Sequence, residues 1–316
     1  MNRSMVWPMI VNLPRVFWKR VLLWMLFWNV LPVGLLYFLV GTIAADKLTK
    51  PMRVLTASYT PALFNLAYQD VRFPASDGQA EIAGWYIPSV EEKEVVIMVH
   101  GRNASRTELF MGHGIDLAHA LNEAGFSVLM IDMRGHGQSS EGRFTYGQVE
   151  RYDVIGAVNW LVARGYQPGK IGVMGISMGA AAVIGAAAED ERIGAVVSDS
   201  GYADVSTLIK ERWTEETGMP AIFFHSTRLM IWLKYGYDIG ASKPAADILM
   251  VAPRPVLLIH CCGDRIIPYK NFIELQATAP YSQAWSIPSC IHGQSYNVDP
   301  AAYEKHLISF MIGSLR

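Results

Sequence analysis

Charge is scarce in this chain: Asp, Glu, Lys and Arg make up 17% of 316 residues, against about 25% in an ordinary soluble protein. The 27 basic and 28 acidic residues nearly cancel, to a formal net charge of −1. A nucleic-acid-binding surface needs a basic excess or stripe, and none is present. Cysteine is scarcer still. Cys261, Cys262 and Cys290 are too few for a disulfide-dense scaffold or a four-thiolate zinc site. One bridge from Cys290 to either neighbour and a set of reduced thiols both remain open, so the cysteines do not fix a redox compartment. Histidines and acids are scattered without metal-ligand spacing, so no metal is expected. Repeats and low-complexity segments are absent, and an apolar fraction of 51% excludes long disorder.

The apolar surplus is concentrated near the start. Residues 21–45 read VLLWMLFWNVLPVGLLYFLVGTIAA, without a charge. As a helix rising 1.5 Å per residue this run spans a hydrocarbon core of about 30 Å with room for tilt. Pro32 and Gly34 are tolerated in such spans. A signal peptide is the first alternative, with a passable cleavage context at Thr42-Ile43-Ala44, but its apolar region is normally shorter. A core helix this apolar all round would need a larger protein around it. The expectation is a basic N-terminal segment (1–20), a single transmembrane helix (21–45) and a connector (46–67) with Pro51 and Pro61. Arg3, Arg15, Lys19 and Arg20 precede the run; Lys47, Lys50 and Arg53 follow it beside Asp46. The positive-inside rule leans towards a cytoplasmic N-terminus and an extracytoplasmic main domain.

From residue 68 to 316 apolar runs alternate with helical patterns, the signature of a mostly parallel sheet covered by helices. Strands are expected at 69–74 and 80–88, as an antiparallel hairpin around Asp77-Gly78. Six more are expected at 95–100, 127–132, 170–176, 195–199, 255–262 and 283–289, several of them continuous Val/Ile/Leu/Met runs suited to burial on both faces. Helices are expected at 108–124, 148–164, 178–190, 269–278 and 300–314. Residues 201–250 separate two strands by too much chain for a bare loop. Their helical patterns at 203–216 and 221–236 indicate an inserted cap.

Gly175-Ile176-Ser177-Met178-Gly179 joins a strand to the small-residue helix AAAVIGAAA. G-x-S-x-G at that junction makes a sharp turn that exposes a serine hydroxyl at the carboxyl edge of the sheet, next to a helix N-terminus that favours developing negative charge. A serine nucleophile needs a base and the base an orienting carboxylate. Asp264 follows the strand PVLLIHCC, and His292 follows the last strand, so Ser177, Asp264 and His292 all fall at strand carboxyl ends. Asp199 is the alternative acid. His260, inside a strand, reads as a core histidine, and His306, mid-helix, as surface. The backbone N–H groups of Met178 and of Arg102, which follows Val99-His100-Gly101, are the candidate oxyanion donors.

With those residues in place, the chain resembles the α/β hydrolases, in particular the membrane-anchored α/β-hydrolase-domain proteins and their bacterial relatives. Asp132-Met133-Arg134-Gly135-His136-Gly137-Gln138-Ser139 is similar to that group's D-x-R-G-x-G-x-S loop, and Gly263-Asp264-Arg265 with Ile267-Pro268 resembles its acid loop. The resemblance implies an eight-stranded sheet, no cofactor, a triad of Ser177, Asp264 and His292, and a structural His136. Arg102 departs from the smaller or apolar residue common there, and its guanidinium is expected to face solvent, with an anionic group of the substrate as the alternative partner. The expected activity is hydrolysis of carboxylic esters or thioesters through an acyl-enzyme, on small or lipid-like substrates. A peptidase of the same fold and a non-catalytic binding protein are the alternatives. Apolar cap residues Ile222-Phe223-Phe224 and 229–233 either line an acyl slot, touch the bilayer, or simply pack the cap on the core.

Overall fold

The structure, a computed structural model, describes residues 15–54 and 59–315. Residues 1–14 of the basic N-terminal segment and 55–58 of the connector lie outside the described residues. Eight strands form one sheet: β1 (Gln69–Pro74), β2 (Glu81–Ile87), β3 (Val95–Val99), β4 (Ser127–Asp132), β5 (Ile171–Ile176), β6 (Ile193–Asp199), β7 (Val256–Cys261) and β8 (Gln283–Ile287). Their spatial order is β1-β2-β4-β3-β5-β6-β7-β8. β2 pairs antiparallel with β1 and β4, and every later pairing is parallel. Every residue of β3, β4, β5 and β7 is buried, which is why these segments are unbroken apolar runs rather than alternating ones.

α1 (Arg15–Thr49) is one continuous helix with a π segment at Leu26–Val30. Residues 15–40 carry no buried side chain, whereas Gly41, Ala44, Ala45, Leu48 and Thr49 are buried in the body of the protein. Residues 46–49, read from sequence as connector, therefore continue the helix. Asp46 does not end it because its charge is met by Lys234, Tyr235 and Arg143.

The remaining α-helices of five residues or more are α2 (Gly114–Glu123), α3 (Arg151–Ala163), α4 (Met178–Glu189), α5 (Val205–Glu211), α6 (Trp213–Thr217), α7 (Phe224–Tyr235), α8 (Lys270–Thr278) and α9 (Pro300–Leu315). The helix expected from residue 108 begins only at Gly114. A tight turn over Leu109–Gly112 precedes it, with Phe110 and Met111 at φ 50° and 60°. A Cβ on Gly114 would lie 2.8 Å from that of Leu109, so the chain doubles back on itself there. The cap is α5, α6 and α7, the first two divided at Arg212, and α1 packs along α7. Cys261 and Cys290 form a disulfide, and Cys262 is free and exposed.

Candidate active site

The serine turn is built by exclusion of side chains. Ser177 sits at φ 57°, ψ −115°, a strained conformation for a non-glycine residue. Its backbone N–H donates to the Asp199 carbonyl at 2.9 Å, which ties the turn to β6. A Cβ on Gly175 would lie 2.2 Å from the Gly179 carbonyl oxygen, and one on Gly179 would lie 2.5 Å from that of His100. Neither position has room for any other residue, so the two glycines let strand, turn and helix close on one another.

Asp264 and His292 reach this serine from the ends of β7 and β8. Asp264 is buried, and its Oδ1 accepts the backbone N–H groups of Ile266 and Ile267, each at 2.8 Å. Its Oδ2 lies 2.7 Å from His292 Nδ1, and His292 Nε2 lies 2.9 Å from Ser177 Oγ. With Nδ1–H donated to the carboxylate, Nε2 is free to accept the serine proton. The disulfide spans the same two loops: Cys261 ends β7 three residues before Asp264, and Cys290 precedes His292 by two. Asp199 faces elsewhere, accepting hydroxyl donors from Ser200, Ser295 and Tyr303. His260 is buried as expected, but its Nε2–H donates to the Ile267 carbonyl at 2.9 Å, so it braces the acid loop from behind. His306 stacks half-buried on Trp285.

Met178 and Arg102 both line the cavity that holds Ser177. A Cβ on Gly101 would lie 3.3 Å from that of Ser177, so the loop after β3 passes directly against the nucleophile. Two neutral histidines set that loop. His100 Nδ1–H donates to the Gly101 carbonyl at 2.7 Å, and its Nε2 accepts from Met133 N–H at 3.0 Å. His136 Nδ1–H donates to the Arg134 carbonyl at 2.9 Å, and its Nε2 accepts from Asn103 N–H at 3.2 Å. Burial lowers the pKa of both, that of His136 to about 4, and each keeps one ring nitrogen as acceptor. The loop from Asp132 to Ser139 is thus a buttress. Asp132 accepts from Arg106 and from the Gln138 N–H, while a Cβ on Gly137 (φ 46°) would strike its carboxylate.

The Arg102 side chain does not face solvent. Its guanidinium turns inward to the Tyr146 hydroxyl at 2.9 Å and to Glu216 Oε2 at 3.0 Å, and remains only 27% exposed. Glu216, on α6, supplies the carboxylate that makes this orientation favourable, and Arg212 approaches the same carboxylate at 3.6 Å. Glu216, Tyr146 and Arg212 were not identified from sequence. Leu208, Ile209, Ile266 and Ile267 supply most of the apolar lining of the cavity, whose volume is about 40 Å³.

The strand order, the strained serine at a strand-to-helix turn, and an acid and histidine arriving from the ends of the last two strands define an α/β hydrolase. The chain belongs to the X-Pro dipeptidyl-peptidase (S15) family, which it matches over residues 59–285. The match takes in Ser177 and Asp264 and stops short of His292. The chain is also similar to the uncharacterized protein YfhR of Escherichia coli K12, with 25% identity over 256 residues, 78% of this chain and 81% of YfhR. Among solved structures it resembles the Pyrococcus furiosus esterase Pf2001, with TM-score 0.67 and 23% identity over 84% of this chain and 100% of that one. It also resembles the acylaminoacyl peptidase of Pyrococcus horikoshii, with TM-score 0.57 and 20% identity over 82% of this chain and 44% of that one. Both structures share its fold, under an esterase and a peptidase name.

Proposed function

We propose that this hydrolase cleaves carboxylic esters or thioesters through an acyl-enzyme on Ser177. In this reading His292 takes the Ser177 proton as Oγ attacks the carbonyl carbon, and Asp264 stabilises the resulting imidazolium. The Met178 and Arg102 N–H groups receive the oxyanion. Collapse of the tetrahedral intermediate breaks the bond to the leaving group, which takes the proton from His292. Water, deprotonated by His292, then releases the acid and restores Ser177.

The observation that carries the ester reading is the cavity wall. Its lining is largely apolar, and among the described residues its one carboxylate, Glu216, is held by Arg102 and approached by Arg212, leaving no unpaired acid among them to receive the amino end of a peptide. A cavity of about 40 Å³ takes only about three water-sized units. Short acyl groups fit as the cap stands. The family match and Glu216 itself favour a second reading, a peptidase in which an incoming ammonium takes the place of Arg102 on that carboxylate.

A fluorophosphonate probe on the full chain tests the nucleophile, with Ser177→Ala as control. Labelling of the wild type alone supports the assignment, and equal labelling of both rules it out. p-Nitrophenyl esters of rising chain length, run beside X-Pro p-nitroanilides, separate the two substrate readings. Turnover of the anilides at rates matching the esters would favour the peptidase.

A further inference from the structure

We infer that the tip of the cap, Met219 to Phe223, is seated in the surface of a lipid bilayer that α1 crosses. The inference rests on reading α1 as a membrane span. It follows from where the helix meets the cap. The Tyr37 hydroxyl donates to the Ile222 carbonyl at 2.9 Å, and the Tyr37 and Phe223 rings stack at 5.5 Å. One turn later Gly41 is pressed against Ser226, where a Cβ would come within 2.7 Å of its hydroxyl oxygen. The helix is therefore clamped to the cap from Tyr37 onward.

The length of free helix sets the height of the membrane. Arg20 is the last charged residue before the apolar run. From Val21 to Tyr37 the helix rises only about 25 Å, short of a hydrocarbon core of about 30 Å. Twenty residues from Val21 end at Val40, past the contact with the cap. Tilt moves the boundary further towards the body of the protein. The outer face of the hydrocarbon therefore reaches the level of Ile222 and Phe223.

The side chains at that level suit the position. Residues 219–223 carry no charge, and Ile222 is 66% exposed beside the helix. The first charges met along α1 past this level are Asp46, paired with Lys234 and Arg143, and Lys47, which donates to the Thr217 carbonyl. An exposed, uncharged apolar tip lying against the end of the free helix is the composition of a segment lying in the headgroup boundary. Glu216, on the cavity wall, stands three residues before this tip begins at Met219, so the wall of the pocket adjoins the bilayer surface. The substrate class this selects is an ester held in that surface.

The test uses the full chain in vesicles of phosphatidylcholine and phosphatidylglycerol, with Cys262→Ser removing the free thiol. Single cysteines at Phe27→Cys, Ile222→Cys and Lys93→Cys carry an environment-sensitive fluorophore, and fluorophosphonate labelling of Ser177 verifies that each folds. Lys93 precedes β3, at the sheet edge opposite the serine. Lipids spin-labelled near the chain end should quench position 27, lipids labelled high on the chain should quench position 222, and neither should quench 93. Quenching at 27 with none at 222 overturns the inference and leaves the span intact. Absence of quenching at 27 overturns the span, and the seating of the tip falls with it.

Discussion

Arg102, in the loop after β3, and Glu216, on the cap helix α6, form an ion pair at 3.0 Å across the cavity that contains Ser177. This pair links the loop expected to bind the oxyanion to the lid over it, and it holds the only cation that directly follows the His100-Gly101 turn. Breaking it changes the charge of the pocket without touching the serine.

Glu216→Gln should leave Arg102 with the Tyr146 hydroxyl and an uncompensated positive charge. Esters carrying a carboxylate, such as a succinate half-ester, should then gain in kcat/KM relative to the neutral acetate ester by about tenfold, the worth of about 1.4 kcal/mol of new ion pairing. Steady-state kinetics on the two esters read the ratio. An unchanged ratio would show that Arg102 offers its charge to no substrate.

Acid should weaken the fold through His136. Its pKa is held at about 4 by burial, against about 6.5 in the unfolded chain. As pH falls below 6.5 the unfolded form takes up a proton that the native form refuses until about pH 4, so stability is lost across that window as pH falls. From pH 7 to pH 5 the loss from this residue is about 2 kcal/mol, and buried His100 acts in the same direction. Denaturant titrations at the two pH values measure it, and His136→Gln should flatten the dependence by that amount.

Removing the disulfide should loosen the acid and base together. Cys261 and Cys290 are 29 residues apart, and a loop of that size is worth about 3 to 4 kcal/mol in the chain-entropy account. The double variant Cys261→Ser/Cys290→Ser should melt on the order of 10 °C lower and lose turnover. Dithiothreitol should lower the activity of the wild type and leave the variant unaffected. A wild type indifferent to the reductant would show that the bridge is not needed to hold Asp264 near His292.

What the sequence reveals here depends on where each residue sits along the chain. Ser177 and Asp264 each follow the end of a buried apolar strand and His292 follows the last strand, so local turn chemistry marks them, and the parallel sheet brings the ends of β5, β7 and β8 to one edge. The Arg102 side chain is a different case. Its orientation is decided by Glu216, 114 residues away, in a cap whose placement no periodicity encodes. The same holds for His260, whose bond to the Ile267 carbonyl depends on how the acid loop folds back over β7. The end of α1 was hidden for a related reason. Asp46 and Lys47 look like the close of an apolar run until Lys234, Arg143 and the Thr217 carbonyl come within reach of them.

The last turns of α1 are inside the hydrolase body. Ala44, Ala45 and Leu48 are buried there, and the Leu48 carbonyl accepts from the hydroxyl of Tyr146, the residue that also holds Arg102. Such a joint has no swivel. The helix and the mouth of the pocket keep one fixed bearing, so whatever orients the helix also aims the serine.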